Sequence, residues 1–280
     1  MILIADSGST KTEWCVVTGN GTTEKVVTPG INPFYQESEN ISAILQKEFT
    51  AVRKFDAIYF YGAGCINQEK QDIVRKSLIK VFEAAHIFIG TDLLAAAHSL
   101  CQDQPGVACI LGTGSNSCYY DGRQIAANVS PLGFILGDEG SGAVLGKKLI
   151  GDILKKQLPL SLINDFFETY HTTPAEILEN VYKKPFPSRY LADYTKFLSR
   201  NIKHPEIENI VITSFREFVK RNLLQYPGVG KTPIHFTGSI AFHFEAQLRK
   251  VIEEQHLILG NIERAPMKGL VNYHISKTIL

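Results

Sequence analysis

The sequence predicts an α/β protein of two similar units. Short apolar runs bounded by Gly, Asn and Pro alternate with longer stretches in which apolar residues recur at helical spacing. A strand, small-polar turn, strand pattern opens the chain and returns about a hundred residues later, an internal repeat of architecture though hardly of sequence. Between the copies, Gln102-Asp103-Gln104-Pro105-Gly106 is polar, lacks an apolar period and marks a boundary.

In order, the opening "MILIADSGSTKTEWCVV" reads as an apolar strand, a turn of Asp, small residues and Lys, and a second strand over 13–18. Gly19-Asn20-Gly21 predicts a hairpin into a third strand over 23–27, because Asn-Gly suits the backbone such turns require. Ile41, Ile44, Leu45 and Phe49 recur at helical spacing, and 57–61 reads as a buried strand. A helix over 69–84, a short strand over 86–89 and a helix starting near Asp92 follow, an order that implies a mixed sheet covered by helices. The second copy has a buried strand over 107–111, the turn Gly112-Thr113-Gly114-Ser115-Asn116, and a hairpin of 118–120 and 124–127 around Asp121-Gly122. From 141 to about 226 the chain is mostly helical, punctuated by Pro174, Pro185, Pro187 and Pro205. A strand over 234–236 ends in Thr237-Gly238-Ser239, a helix covers 240–254, and a last helix covers 267–279.

With 280 residues, 44% hydrophobic and 20% charged, the chain has ample material for a buried core. A formal net charge of +1 gives no bulk case for nucleic acid or an anionic membrane. No apolar run approaches the ~20 residues of a membrane span and no signal-type segment opens the chain, so the expectation is a cytoplasmic protein. Cys15, Cys65, Cys101, Cys109 and Cys118 are odd in number, lack metal-site spacing, and are expected to be reduced and mostly buried. The eight histidines form no H-E-x-x-H or other ligand spacing and read as satisfied or exposed.

The polar interruption at 6–12 has a composition that suits phosphate. Gly8 lets a ligand approach the backbone, while Ser7, Ser9, Thr10 and Thr12 add hydroxyls to the N–H groups of a tight turn. The same residues also make ordinary bends. The stretch matches neither G-x-x-x-x-G-K-[ST] nor a G-x-G-x-x-G that opens a helix. Asp92, just before Leu93 and Leu94, has the place of a helix cap, and either Asp138 or Glu139 stands where a cap would precede the next helix.

Taken together, "DSGSTKT" at 6–12, "LGTGSNS" at 111–117 and "TGSIA" at 237–241 resemble the first phosphate, second phosphate and adenosine motifs of the sugar kinase, actin and heat-shock chaperone ATPase superfamily. "GINPFYQ" at 30–36, "GTDLLAAAHS" at 90–99 and "GFILGDEGSG" at 133–142 are similar to the N-acetylglucosamine kinase branch, which shares its ATPase core with activator ATPases of 2-hydroxyacyl-CoA dehydratases. The resemblance covers nearly the whole chain, is weakest between about 151 and 230, and is most branch-specific at "GDEGSG".

The resemblance implies two ribonuclease-H-like lobes, as in actin-like ATPases, with ATP and sugar in the cleft between them. The first lobe would span 1–104, the second 105–267 with a helical insertion, and a final helix over 268–280 would pack back toward the first. ATP and Mg²⁺ are the implied cofactors. Asp6 would orient Mg²⁺ through water, as suits an ion that keeps several waters. Gly8, Ser9, Thr10 and Lys11 on one turn and Gly112, Thr113 and Gly114 on the other would meet the phosphates as two short backbone nests. Gly238 and Ser239 would flank the adenosine.

Asp92 matches the catalytic Asp that accepts a proton from the sugar 6-hydroxyl, and a helix start is expected to lower its pKa. Asn32, Asp92, Ser115, Asn116 and Asp138 match sugar-binding positions. Phe34, Tyr35, Tyr59, Phe60 and Tyr61 read as strand or core packing, with a sugar platform as the alternative. The implied partner is a small amino sugar, with no nucleic acid, no membrane, and a homodimer left open. Two other functions compete. An activator ATPase would hold an iron–sulfur cluster between subunits with paired cysteines, and no suitable pair is evident. A non-catalytic sugar sensor keeps the fold without turnover; repressor relatives add a DNA-binding module, for which a chain opening at its first phosphate strand is expected to leave no room.

Overall fold

Alternate residues of the first strand, β1 (Ile2–Ser7), enter two different cores. Leu3 and Ala5 join Trp14, Phe60 and the helix residues Leu45 and Leu78, whereas Ile2 and Ile4 join Cys15, Tyr61 and Leu270. A strand buried on both faces reads as one apolar run, which is why "ILIA" shows no alternation. The computed structural model describes residues 1–8, 10–18, 23–49 and 54–278. Ser9 and the expected Gly19-Asn20-Gly21 turn lie outside the described residues.

The chain divides into two units, Met1–Gln104 with Gly122–Gln124 and Ala265–Leu280, and Pro105–Asp121 with Ile125–Arg264. In the first, β2 (Lys11–Val17), β3 (Thr23–Pro29), β4 (Lys54–Gly62) and β5 (Glu83–Thr91) surround β1 in the order β3-β2-β1-β4-β5. The first three strands are antiparallel neighbours, and β1, β4 and β5 are parallel. Helices α1 (Ser38–Glu48) and α2 (Gln68–Val81) bury residues in one core, and α3 (Asp92–Cys101) in the other.

The second unit repeats the plan with β6 (Pro105–Leu111), β7 (Ser115–Asp121), β8 (Ile125–Val129), β9 (Ile234–Thr237) and β10 (Leu259–Glu263), in the order β8-β7-β6-β9-β10. Its helices are α4 (Gly133–Leu136), α5 (Gly142–Leu154), α6 (Leu160–Tyr170), α7 (Pro174–Tyr182), α8 (Pro187–Asp193), α9 (Thr195–Arg200), α10 (Pro205–Arg221), α11 (Ser239–His243) and α12 (Glu245–Glu254). Residues from most of them share one core with Val107, Cys109 and Leu111 of β6. The last helix, α13 (Met267–Thr278), returns to the first unit, where it packs on α3, β1 and β2.

Three elements differ from expectation. The helix expected over 69–84 ends at Val81, because Phe82 is extended and buried among Trp14, Phe49 and Phe55, and Ala84 pairs with Phe55. The helix expected over 240–254 is broken at Phe244, which is buried. Strand β10 was not anticipated: it is a half-exposed edge strand whose "LGNIE" lacks an apolar run. All five cysteines are buried and none is in a disulfide. Among the described residues, no helix is long and apolar enough to cross a membrane.

Histidines that the sequence left without a role form a buried polar network. The Tyr61 hydroxyl lies 2.8 Å from His98 Nδ1 and 2.9 Å from His274 Nε2, joining β4, α3 and α13. His274 stacks on Tyr59 at 3.7 Å and His98 on Tyr273 at 4.0 Å. Burial pushes His98 down to about 4 and His274 to about 3, with Lys277 pressing both the same way. Both rings are therefore neutral in the fold, and their contribution to stability is complete above the ordinary value of 6.5 and lost as pH falls towards 4 and 3. The urea midpoint is expected to drop between pH 7 and pH 4.5, and to drop less in His274→Gln. A midpoint flat across that range contradicts this.

Candidate active site

Parallel strands β1, β4 and β5 end together. Asp6 sits beside Tyr61 and Tyr61 beside Gly90; one residue on, Ser7 sits beside Gly62 and Gly62 beside Thr91. Strand ends of this kind are where open α/β sheets bind ligands. Asp6 and Asp92 are thereby brought near each other, and the Asp92 charge bears on Asp6. Burial, then Asp92 and Glu13, push the Asp6 carboxyl up to about 7, with Lys11 pulling the other way. Among the described residues, neither Asp6 nor Asp92 has an ion-pair partner within salt-bridge reach.

The helix cap belongs to Thr91, not Asp92. Thr91 Oγ1 accepts the Leu94 N–H at 3.1 Å, which leaves Asp92 as the first helical residue with Oδ1 accepting the Leu93 N–H at 2.9 Å. Burial raises the Asp92 pKa, outweighing the lowering by the N–H groups of Leu93 and Asp92 itself. The expected depression by the helix start is thus reversed, because desolvation penalises the charged form more than one turn of N–H dipoles favours it.

The first turn is tight, with the Gly8 N–H bonded to the Lys11 carbonyl at 3.1 Å. Two of its hydroxyls are unavailable to a ligand. Ser7 Oγ and Thr12 Oγ1 are buried, 2.7 Å apart, and Ser7 also donates to the Ile31 carbonyl at 2.9 Å. Gly8, Thr10 and Lys11 remain exposed. Asn32 follows Ile31, and its Oδ1 accepts the Phe34 N–H at 2.9 Å. Gly64 has φ +84°, and a Cβ there would lie 2.4 Å from Asn32 Oδ1, so only glycine lets the two loops approach. Packing holds for Phe60 and Tyr61, but Phe34 and Tyr35 are exposed, contrary to the core reading of them.

In the second unit, Gly112 follows β6 and Gly238 follows the adjacent parallel strand β9. Gly238 has φ +116°, and a Cβ would lie 2.3 Å from the Leu111 carbonyl oxygen, so the two strand ends are held in close contact. Exposed Ser239 opens α11. The Gly112 and Thr113 carbonyls accept the first N–H groups of α5, from Gly142 at 2.8 Å and Ala143 at 3.0 Å. Asn116 Oδ1 is engaged by the Ser117 N–H and by Asn128. Asp138 is buried, and its Oδ1 accepts the Ser115 N–H at 3.3 Å. Burial first, and then the charge of Glu139, push its carboxyl up to about 6.

Neither acid of "GDEGSG" caps α5; Ser141 does, accepting the Val144 N–H at 3.2 Å. Glu139 instead pairs with Arg221 at 2.6 Å and accepts from Asn222, while the Gly140 N–H bonds to Ser214 Oγ. These supports from α10 and the residue after it had no local signal, since they lie more than 70 residues away in sequence.

A stability consequence follows from Asp6. Its carboxyl value is raised from 3.8 to about 7, so its favourable contribution is complete below about 4 and lost as pH rises through 7. In nucleotide-free protein, Asp6→Asn is therefore expected to melt above the parent at pH 8, with the gap closing towards pH 5. Thermal melts at both values check this, and an equal gap at both removes the cause assigned to Asp6.

No family model and no curated protein matches the chain. Solved structures do. A Porphyromonas gingivalis protein, provisionally named an N-acetylglucosamine kinase, is 44% identical with a TM-score of 0.94, over 99% of this chain and 100% of that one. A Chromobacterium violaceum protein with the same provisional name is 18% identical with a TM-score of 0.73, over 97% and 98%. A ROK family glucokinase from Streptomyces griseus, solved with glucose and AMPPNP, is 16% identical with a TM-score of 0.53, over 97% of each chain. The latter two show the fold alone. At the first match's identity and coverage, the chain belongs to the N-acetylglucosamine kinase-like branch of the sugar kinase, actin and heat-shock chaperone ATPase superfamily.

Proposed function

We propose that the protein is an ATP-dependent kinase that phosphorylates the 6-hydroxyl of N-acetylglucosamine or a related amino sugar. The observation that carries this reading is the placement of Asp92. It is relieved of capping by Thr91, bonded through one oxygen to the helix start, and set at the same strand ends as Asp6. A carboxylate whose pKa is raised by burial is a stronger base than an ordinary one, which suits the acceptance of a hydroxyl proton.

Two like-charged carboxyl groups without an ion-pair partner among the described residues fit a hard divalent cation. Asp6 would hold Mg²⁺ through water. When bound, the ion neutralises charge on the ATP phosphates. The chain's own residues do the rest. Thr10, Lys11 and the backbone at Gly8 bind phosphate, as do Gly112, Thr113 and Gly114; Gly238 and Ser239 take the adenosine. Asn32, Ser115, Asn116 and Asp138 orient the acceptor. Its 6-oxygen then attacks the γ-phosphorus, the bond from that phosphorus to the β,γ-bridging oxygen breaks, and Asp92 receives the hydroxyl proton. An ATP requirement and cysteines held outside disulfides fit a cytoplasmic protein.

The test is ADP release with Mg·ATP across a panel of hexoses and amino sugars. Release that requires an amino sugar, with a 6-phosphate in the product, supports the reading. Hydrolysis that is indifferent to sugar points to an activator ATPase, and the absence of both to a sensor.

A further inference from the structure

Gly114, on the turn read as a phosphate contact, faces an acid read as a sugar contact. A Cβ on Gly114 would lie 3.1 Å from Asp138 Oδ2, 3.5 Å from its Cγ and 3.6 Å from Oδ1. These are its three nearest neighbours, and all belong to the one carboxylate. The next residue of the turn holds that group directly, through the Ser115 N–H on Oδ1 at 3.3 Å. Asp138 has little freedom to adjust. Its φ of +54° is a left-handed conformation that costs a non-glycine residue energy. Its N–H bonds to the Pro131 carbonyl at 2.8 Å, and its carbonyl accepts the Ser141 N–H at 3.0 Å. The turn is equally fixed by its bonds to the first residues of α5.

We propose that Gly114 and the Ser115 N–H position the Asp138 carboxylate, so that the second phosphate turn also sets how tightly the acceptor sugar is held. This rests on the sugar-kinase reading above. The absent side chain of Gly114 defines where Oδ2 lies, and the Ser115 N–H defines where Oδ1 lies. Gly114 is a positioning residue that acts through Asp138. A methyl group at 114 displaces the carboxylate by a few tenths of an ångström, comparable with the tolerance of a preorganised binding site.

The experiment compares Gly114→Ala with Gly112→Ala, a change in the same turn whose Cβ meets nothing nearer than the Gly114 carbonyl oxygen at 4.0 Å. No strained φ accompanies either position, and no backbone atom is among the three nearest contacts of a Cβ at 114, so Gly114→Ala is expected to fold. With N-acetylglucosamine as acceptor and ATP saturating for each variant, Gly114→Ala should raise the sugar KM about five- to twentyfold, a larger factor than its change in ATP Kd measured without sugar. Gly112→Ala, whatever it changes in ATP affinity, should leave the sugar KM near the parent's at saturating ATP.

A Gly114→Ala variant with weakened ATP binding and an unchanged sugar KM overturns the proposal, as does an equal rise of sugar KM in both variants. If the parent transfers phosphate to no sugar, the kinase reading fails, and the positioning claim is then decided by carbon NMR titration of the Asp138 carboxyl. Its midpoint, near 6 in the parent, should move by about half a unit or more in Gly114→Ala, and an unmoved midpoint refutes the claim.

Discussion

Asp92→Asn is expected to lower kcat by roughly 10²–10⁴-fold while the melting temperature stays at or slightly above the parent's. Asn is nearly isosteric, and its side-chain oxygen can still accept the Leu93 N–H now received by Asp92 Oδ1. Capping is untouched because Thr91 supplies it. The change also removes a carboxyl group whose charged form burial disfavours, so stability has no reason to fall. What the proposed mechanism loses is a group to take the proton from the acceptor. Steady-state kinetics and a thermal melt on one preparation separate these effects. Full activity would remove Asp92 from the mechanism, and a loss of stability matching the loss of activity would return it to a structural role.

Gly146→Ala should be the most damaging single methyl group in the second unit. A Cβ there would lie 1.9 Å from the Leu191 carbonyl oxygen and 2.6 Å from its carbon, where α8 crosses α5. Backbone cannot swing aside as a side chain can, so the helices must separate or the chain must shift. We expect a loss of about 3 kcal/mol or more and a fall in melting temperature on the order of 10 °C. Gly151, on the same helix, meets nothing within 4 Å, and Gly151→Ala should stabilise by about 0.5–1 kcal/mol through helix propensity alone. Denaturant unfolding of the pair checks both signs. Equal effects would show that the α5–α8 contact is looser than described.

The repeat of strand, small-polar turn and strand was legible because buried strands and Gly-rich turns are written in local composition, and both sheets carry it in the expected places. Local composition also misled. "AAHIFIG" hides the start of β5, since Phe82 and Ala84 are acceptable in a helix, and only the rings of Trp14, Phe49 and Phe55 decide otherwise. "TD" before Leu93 offers two residues that cap equally well, so the freedom of Asp92 could not be read without coordinates. The left-handed backbone of Asp138 and its ties to Pro131 and Ser115 have no signature in "GDEGSG", and Glu139 gave no sign that its partner is Arg221. Exposed Phe34 and Tyr35 escaped because hydrophobicity alone does not say which aromatic a loop presents to solvent.

The return of α13 to the first unit has a consequence for the order in which the polypeptide is made. The second unit, residues 105–121 and 125–264, is synthesised as an interruption, and Met267 and Leu270, which complete the core around Ile2, Ile4 and Tyr61, leave the ribosome only after it. The first unit to be translated is therefore the last to close. During the seconds needed to synthesise the second unit, one apolar face of the nascent sheet has α3 but lacks α13, the other helix that covers it, and is a surface open to chaperone capture.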